Sequence, residues 1–440
     1  MAGSSHVRVP CSTTYGNAKS VASMFRCHRI PCRRARSGAS ITAMVPEQPA
    51  RRSTLSRRGL LKGGGAVAFG GLSIAALKLP MFGIDPVQAC PNGGAAKDVS
   101  ADERELVISN WTGYIDPRKN PKSTLAQFQD QTGISVTYNV DINDNAEFYA
   151  KVKNQMRACE PIDRDMIVMT DWMAARMISL GFIQPLNKGN VPNLDKNLIE
   201  SLQGVPWDPE REYSAPWQSG LTGIAYNADL VPEVSSFEEL ITRDDLKGKI
   251  TLLSEMADTM GFFLKVTGAD PVDFDDDEWA AAIDRLREVK ESGQLLQFAG
   301  NNYLQQLSQG TLLACEAWSG DVIQAQYDNP NLKFVVPEEG LSLWSDNMMV
   351  PNYATHQTHA ETWIDYYYQP EVAAKLAAWV NYICPVQGAQ EAMLDIDPSL
   401  AENPLIFPDS EMLANTWDFM TLTDEKQSQY EGEWADVISS

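Results

Sequence analysis

The spacing of apolar positions alternates along the chain between that of a strand and that of a helix. Residues 106–109 form a short apolar run typical of a buried strand, and residues 134–138 alternate apolar and polar side chains. Residues 143–157 instead place apolar side chains four apart, which predicts one buried face of a helix. Strand and helix segments that follow one another in this way predict an α/β fold with a largely parallel sheet.

The same spacing extends over most of the chain and predicts further strands and helices. The predicted strands are 106–109, 134–138, 166–169, 250–253 and 312–315, with another extended stretch at 342–350. The predicted helices are 122–131, 143–157, 172–180, 260–266, 276–291, 358–368 and 372–382.

Length and composition fit a folded chain of about two domains. The chain has 440 residues, of which 44% are hydrophobic and 21% charged, so it does not have the composition of a disordered chain. Its formal net charge of −22 argues against nucleic-acid binding, because that function needs clustered Lys and Arg.

Basic residues are concentrated at the N-terminus. Of the 36 Lys and Arg residues, 13 lie in residues 1–89, where only Glu47 and Asp85 are acidic. Residues 56–62 read SRRGLLK, which matches the twin-arginine export signal, and a Gly- and Ala-rich apolar stretch follows at 63–79. This stretch is too short and too rich in Gly to predict a permanent membrane span.

These features divide the N-terminal part of the chain. We expect residues 1–43 to be a non-native or disordered upstream extension, with translation starting at Met44, and residues 44–89 to be an export signal and linker. The mature protein would then be extracytoplasmic, in the periplasm or on the outer face of the cytoplasmic membrane. Residues 87–90 loosely resemble a lipoprotein processing site, which makes Cys90 a candidate lipid anchor.

Four of the seven cysteines follow the predicted signal: Cys90, Cys159, Cys315 and Cys384. A disulfide among them suits an extracytoplasmic compartment, and Cys315 equally suits a buried apolar position in a strand. Their spacing contains no Cys-x-x-Cys pair, and no cofactor motif is present, so we predict neither a metal site nor a cofactor.

Four tryptophans lie near the ends of predicted strands: Trp111, Trp172, Trp318 and Trp344. The carboxyl ends of parallel strands meet at one edge of a sheet, where ligands bind. Asp321 and Asp346 follow two of these tryptophans closely, so rings and carboxylates are expected to face one cleft.

Aromatic rings combined with carboxylates suit flexible organic cations. Each cation–π contact contributes roughly 0.5–2 kcal/mol. A carboxylate at about 4 Å from an ammonium group contributes on the order of 4 kcal/mol at an effective dielectric constant of about 20, before desolvation is subtracted.

Six motifs make the chain resemble a known family. They are NWTGYI from Asn110, QTGISVTY from Gln131, DMIVMTDWMAARM from Asp165, YSAPW from Tyr213, AWSGDV from Ala317 and VVPEEGLSLWSDNMMVP from Val335. With them the sequence resembles the substrate-binding proteins of bacterial spermidine/putrescine importers of the ATP-binding-cassette (ABC) type, from about Leu106 to the C-terminus.

The resemblance implies a type II periplasmic-binding-protein fold. In this α/β fold two lobes are joined by crossover strands, with the ligand cleft between them. The resemblance places the three crossovers near residues 220–222, 344–347 and 383–386. The expected lobe 1 comprises residues 104–220 and 347–383, and the expected lobe 2 comprises residues 221–344 and 384–440.

The resemblance also assigns ligand contacts, residue by residue, to Trp111, Thr112, Tyr114, Thr170, Trp172, Trp318, Asp321, Trp344 and Asp346. The sequence departs from the family pattern at Gly113 and Thr259, where an acidic residue is usual. Glu255 or Asp258 can take over the role expected at Thr259, so Glu255 and Thr259 complete the predicted site. Cys384 appears in place of an aromatic residue expected near the third crossover.

The function implied by the resemblance is capture of a polyamine and its delivery to an ABC permease with cytoplasmic ATPase subunits. The protein is then expected to be a monomer and not an enzyme. The alternative is a secreted sugar-binding protein or a glycosidase that uses Asp321 and Asp346 as acid and base. No Ser-His-Asp signature or nucleophile elbow supports an enzyme.

Overall fold

A computed structural model describes residues 90–439 of the chain. The predicted extension at 1–43 and the predicted export signal at 44–89 lie outside these residues. Within the described range, the predicted alternation of strands and helices is confirmed.

The strands, in chain order, are β1 (Glu105–Trp111), β2 (Ser135–Ile142), β3 (Met166–Thr170), β4 (Ile183–Gln184), β5 (Ala215–Asn227), β6 (Ile250–Leu253), β7 (Leu295–Ala299), β8 (Ala314–Trp318), β9 (Leu332–Val335), β10 (Leu341–Pro351) and β11 (Thr416–Trp417).

The α-helices are α1 (Thr124–Thr132), α2 (Asn145–Arg157), α3 (Asp171–Ser179), α4 (Pro192–Asn197), α5 (Phe237–Thr242), α6 (Met256–Thr267), α7 (Asp276–Glu291), α8 (Tyr303–Ser308), α9 (Ser319–Gln326), α10 (Gln357–Tyr367), α11 (Pro370–Val380), α12 (Ala389–Met393), α13 (Pro398–Ala401), α14 (Ser410–Leu413) and α15 (Asp424–Ser439). Short 3-10 helices occur at Pro91–Gly94, Lys188–Asn190, Glu200–Leu202 and Asp244–Leu246.

Local sequence signals account for many element boundaries. Helix α1 begins after Ser123, whose hydroxyl accepts a hydrogen bond from the Ala126 backbone N–H at 3.2 Å. It ends at Gly133, which adopts a left-handed conformation. The strand predicted at 312–315 instead begins at Ala314. The backbone N–H groups of Thr311 and Leu312 still donate to Gln306 O in the turn after α8, so these residues are not free to pair in the sheet.

Strand β5 was not predicted as one continuous strand. Its first half is rich in small and polar residues and lacks the alternation that marks a half-buried strand. All 13 of its residues are buried, because β5 lies in the middle of the sheet and is covered on both faces.

The sheet is mixed, with the order β2-β1-β3-β10-β5-β8-β6-β7. Pairing is parallel between β1 and its neighbours β2 and β3, and between β6 and its neighbours β7 and β8. Strands β5 and β10 run antiparallel to each other, β10 runs antiparallel to β3, and β5 runs antiparallel to β8. The prediction of a largely parallel sheet therefore holds at the two ends and is wrong in the centre.

The two central strands pass side by side where crossovers were expected. Gly220 of β5 pairs with Trp344 of β10, and Ile383 bridges to Ser219. Leu221, Leu341 and Ile383 form a small buried cluster of their own at this point. The division into two lobes stays a prediction.

Cys90 and Cys159 form a disulfide with a Cα–Cα distance of 5.5 Å, whereas Cys315 and Cys384 are buried free thiols. A lipid anchor would be attached through the same Cys90 sulfur atom, which is not available while it is bonded to Cys159. The lipid anchor at Cys90 therefore stays a prediction that competes with this disulfide for the same sulfur atom.

No helix in the described part of the chain combines the length and apolar character that crossing a membrane requires. Among residues 90–439 there is also no group of three or more His, Cys, Asp or Glu side chains arranged to hold a metal ion.

Candidate ligand-binding site

A cavity of about 420 Å³ lies beside the central strands, within the usual size range of small-molecule sites. Nine of the eleven predicted ligand residues line it, and these are Trp111, Thr112, Tyr114, Thr170, Trp172, Glu255, Trp318, Trp344 and Asp346. They are contributed by β1 and the turn after it, by β3, α3, β8 and β10, and by the residue before α6. The structure thus brings together most residues that the sequence selected.

Five aromatic rings contact one another around the cavity. The Trp318 ring lies 6.4 Å from both the Trp111 and the Trp344 ring, measured between centroids. The Tyr382 ring lies 5.7 Å from the Trp344 ring and 5.1 Å from the Tyr114 ring, again measured between centroids. Most of these pairs meet edge to face, so several ring faces remain available to a ligand.

Hydrogen bonds fix the orientation of two indole rings through Asp258. Trp318 donates its Nε1–H to Asp258 Oδ2 at 3.1 Å, and Thr222 donates to Asp258 Oδ1 at 2.7 Å. Trp344 donates its Nε1–H to Thr222 Oγ1 at 2.9 Å. The Trp344 ring also packs directly on Gly220, where any Cβ would overlap it.

Asp346 is buried in the cavity wall and accepts two hydrogen bonds from hydroxyl groups. Tyr114 donates to its Oδ2 and Thr170 to its Oδ1, both at 2.7 Å. Burial raises the pKa of Asp346 to about 7, with smaller contributions from the charges of Asp171 and Asp258, although the two hydrogen bonds oppose this rise.

A chain of hydrogen bonds runs from Glu255, the residue before α6, through Asn145 and Thr170 to Asp346. Glu255 Oε1 accepts hydrogen bonds from the Asn145 backbone N–H at 2.8 Å and from Asn145 Nδ2 at 3.2 Å. Asn145 Nδ2 also donates to Thr170 at 2.8 Å, and Thr170 donates to Asp346. Burial raises the pKa of Glu255 well above its usual value, and the nearby Asp144 raises it further.

Asp321 lies behind the cavity wall. It accepts hydrogen bonds from Tyr382 at 2.8 Å, and from Tyr303 and Asn301 at 3.1 Å each. Of these three partners, Tyr382 and Asn301 line the cavity, whereas Asp321 does not. Asp321 therefore does not line the cavity itself, but it is placed to orient two side chains that do, Tyr382 and Asn301.

Thr259 is the other predicted residue that the structure does not bring to the cavity. It is fully buried in α6 and donates to Leu253 O at 2.9 Å and to Glu316 Oε2 at 2.7 Å. The cavity-lining carboxylates of this region are Glu255 and Asp258, three residues apart.

Several lining residues were not among the predicted contacts. Tyr382 supplies the aromatic ring near the third crossover, so the assignment of Cys384 to this place was wrong by two residues. Asp258 was predicted only as an alternative to Glu255, and the structure places both at the cavity. Trp207 and the residues 418–421 carried none, because only packing distant in sequence brings them to the cavity.

The charge in the cavity wall has one sign. Five carboxyl residues line it, namely Asp171, Glu255, Asp258, Asp346 and Asp418, while Lys, Arg and His are absent from its described lining residues. Eight lining residues are aromatic, so the wall offers ring faces and hydrogen-bond acceptors together. Such a site is suited to a cation that also has apolar surface.

Known proteins resemble the chain over most of its length. It is 27% identical over 316 residues to the spermidine/putrescine-binding periplasmic protein of Escherichia coli, with 71% of this chain and 86% of the relative covered. It is 28% identical over 349 residues to a putrescine/agmatine-binding protein of Pseudomonas aeruginosa, with 74% and 90% covered.

Solved structures show the same architecture. A putative spermidine/putrescine ABC transporter from Listeria monocytogenes superposes with a TM-score of 0.68 at 25% identity, covering 76% of this chain and 99% of that one. This likeness confirms the predicted α/β periplasmic-binding-protein fold. The family described as bacterial extracellular solute-binding protein matches residues 123–408. The chain therefore belongs to the bacterial extracellular solute-binding proteins.

Proposed function

We propose that this protein is an extracytoplasmic receptor that captures a polyamine and delivers it to an ABC permease. The observation that carries the proposal is the composition of the cavity wall, in which aromatic rings and five carboxyl residues occur and the described lining residues include no Lys, Arg or His. The names of the relatives in Escherichia coli and Pseudomonas aeruginosa, which specify spermidine, putrescine and agmatine, agree with this ligand class.

In the proposed mechanism the rings and the carboxylates recognise different parts of the ligand. Trp111, Trp318, Trp344 and Tyr382 cover its methylene groups, while Asp346, Asp258 and Glu255 pair with its ammonium groups. Asp321 orients Tyr382, and Thr170 and Tyr114 orient Asp346. Closure of two lobes on the ligand would be driven by contacts made only in the closed form.

A sugar-binding or glycosidase function is the alternative. A neutral sugar has no charge to pair with carboxylates, whereas the charged residues among the described wall residues are all acidic. Asp321, one of the two carboxylates assigned to such an enzyme, is held behind the wall by Tyr382, Tyr303 and Asn301. The geometry therefore favours the cation.

The proposed route to the site of action is twin-arginine export followed by action as a soluble monomer outside the cytoplasmic membrane. The SRRGLLK motif supports the route, and the Cys90–Cys159 disulfide suits an oxidising compartment. The permease and its ATPase subunits follow from the proposed receptor function.

The test is calorimetric titration of the refolded protein with putrescine, spermidine, agmatine and a neutral disaccharide. We expect one-to-one binding of at least one amine, and Asp346→Asn should weaken that binding at least tenfold, about 1.4 kcal/mol, because it removes a buried negative charge.

The matched control is Asp395→Asn, which makes the same charge change at an exposed position outside the cavity. It should bind as the unmodified protein does. Binding of the disaccharide without any amine, or near-native affinity of Asp346→Asn, would overturn the proposed function.

A further inference from the structure

The start of α2 contacts the residues before α6 through two consecutive side chains and one backbone group. Asp144 Oδ2 accepts a hydrogen bond from Ser254 Oγ at 3.1 Å. The Asn145 backbone N–H donates to Glu255 Oε1 at 2.8 Å. Because α2 belongs to the predicted lobe 1 and Glu255 to the predicted lobe 2, these bonds cross from one predicted lobe to the other.

Asn145 is a buried amide that does not line the cavity. It is the first residue of α2, it is only 1% exposed, and it is not among the described lining residues. The preceding residue, Asp144, caps the helix by accepting a hydrogen bond from the Glu147 backbone N–H at 2.9 Å. A buried side-chain amide must find its hydrogen-bond partners inside the protein, and Asn145 finds them on two cavity-lining residues.

Both ends of the Asn145 amide are fixed by these partners. The Thr170 backbone N–H donates to Asn145 Oδ1 at 3.1 Å, which determines the position of the amide oxygen. Asn145 Nδ2 therefore faces the other way, and it donates to Thr170 Oγ1 at 2.8 Å and to Glu255 Oε1 at 3.2 Å.

Through Thr170 the amide controls the orientation of Asp346. A hydroxyl group has only one hydrogen to donate. Since Thr170 Oγ1 accepts a hydrogen bond from Asn145 Nδ2, its own hydrogen is directed to Asp346 Oδ1, at 2.7 Å. Reversing or removing the Asn145 amide would free the Thr170 hydroxyl to turn away from Asp346.

The same amide controls the orientation of Glu255. Both hydrogen bonds from Asn145 fall on Oε1, and no other described residue donates to Glu255. Oε2 of Glu255 is therefore left for a ligand in the cavity, which Glu255 lines.

We propose that Asn145 is a positioning residue that holds Asp346 and Glu255 in the orientation in which they bind two ammonium groups of one ligand. This inference rests on the proposed polyamine-binding function. Because Asn145 and Glu255 lie in different predicted lobes, the two acids are aligned together when those lobes meet on the ligand.

The first test is calorimetry of the full chain and of Asn145→Ala with putrescine and spermidine. This substitution keeps the backbone bond to Glu255 and the Asp144 cap, so α2 should still begin at the same residue. We expect the affinity for both amines to fall about tenfold, because both acids lose their alignment. Asn154→Ala is the matched control, since Asn154 is exposed on the same helix, and it should bind as the unmodified protein does.

The second test asks whether Asn145 acts through Asp346. If it does, Asn145→Ala and Asp346→Asn together should weaken spermidine binding at least about threefold less than the product of the two single effects. The comparison is Asp258→Asn, because Asp258 is held by Thr222 and Trp318 and not by Asn145. Its effect should multiply with that of Asn145→Ala to within about twofold.

Asn145→Asp separates the donor from the bulk of the side chain. It has nearly the same size, but it places an oxygen where Asn145 Nδ2 donates to Thr170 and Glu255. It should bind both amines at least as weakly as Asn145→Ala does. Thermal unfolding without ligand should show that both variants are folded at the temperature of the titration.

Two outcomes would overturn the inference while leaving polyamine binding intact. One is near-native affinity in a folded Asn145→Ala or Asn145→Asp. The other is an effect of Asn145→Ala that multiplies fully with that of Asp346→Asn, which would make Asn145 a structural residue only. If the unmodified protein binds neither amine, the proposed function itself fails, and the inference fails with it.

Discussion

Asp346 illustrates how the surroundings of one residue create a binding group. Two hydroxyl groups hold its carboxyl oxygens, yet burial and neighbouring acids keep its pKa at about 7. In the absence of a ligand this carboxyl is therefore close to half protonated near neutral pH. An ammonium group that binds the ionised form must displace that proton.

Polyamine affinity should accordingly depend on pH. Because the pKa of Asp346 is raised, its charged form is lost as the pH falls through about 7, while the amine keeps its charge. Between pH 7.5 and pH 6 we expect the affinity to fall about eightfold, since the ionised fraction of a group with a pKa of about 7 falls by that factor. Calorimetry at both pH values measures the change.

The control for this effect is Asp346→Asn, whose affinity should be lower and should depend less on pH. Asp171, with a pKa raised by burial to about 6, and the other cavity acids leave a residual dependence. If the affinity of Asp346→Asn depended on pH just as steeply, the group whose titration controls binding would be a residue other than Asp346.

At the scale of elements, α3 and α15 meet through one ion pair. Arg176 Nη1 lies 2.6 Å from Glu431 Oε1, with only 13% and 25% of the two side chains exposed. The Arg176 guanidinium also lies 4.8 Å from the centre of the Tyr149 ring. The pair connects α3, in the predicted lobe 1, with α15, in the predicted lobe 2.

Weakening this pair should accelerate ligand release. If the predicted lobes separate when the ligand leaves, the ion pair must break, so Glu431→Gln should raise the dissociation rate about fivefold, equivalent to about 1 kcal/mol. Stopped-flow tryptophan fluorescence measures the rate.

The control is Glu425→Gln, an exposed position on the same helix, which should leave the rate unchanged. An unaltered dissociation rate in Glu431→Gln would mean that release does not require α3 and α15 to separate.

At the scale of the whole molecule, the disulfide closes a long loop. Cys90 and Cys159 are 69 residues apart, and the bond connects the segment before β1 with the end of α2. A covalent link across such a loop lowers the entropy of the unfolded chain, which raises the free energy of unfolding.

Cys159→Ser should therefore lower the free energy of unfolding by about 2–4 kcal/mol in urea titrations. A reducing agent should destabilise the unmodified protein by a similar amount and leave Cys159→Ser unchanged. Equal stability of the two proteins under oxidising conditions would show that the bond does not constrain the unfolded chain.

The sequence by itself determined most of the strands and helices, because spacing and caps act over a few residues. It also identified nine lining residues, since motifs such as NWTGYI and AWSGDV keep rings and carboxylates next to strand ends. Together with the family resemblance that these motifs carry, the local signals indicated the fold and the ligand class.

Only the tertiary structure decided which acids reach the cavity. Asp321 follows Trp318 by three residues, yet Tyr382, Tyr303 and Asn301 surround it and hold it behind the wall. Asp418 reaches the cavity because Trp417 packs on Gly261, a contact between residues more than 150 positions apart. Long-range packing of this kind depends on which side chains fit together in space, and no local pattern in the sequence records it.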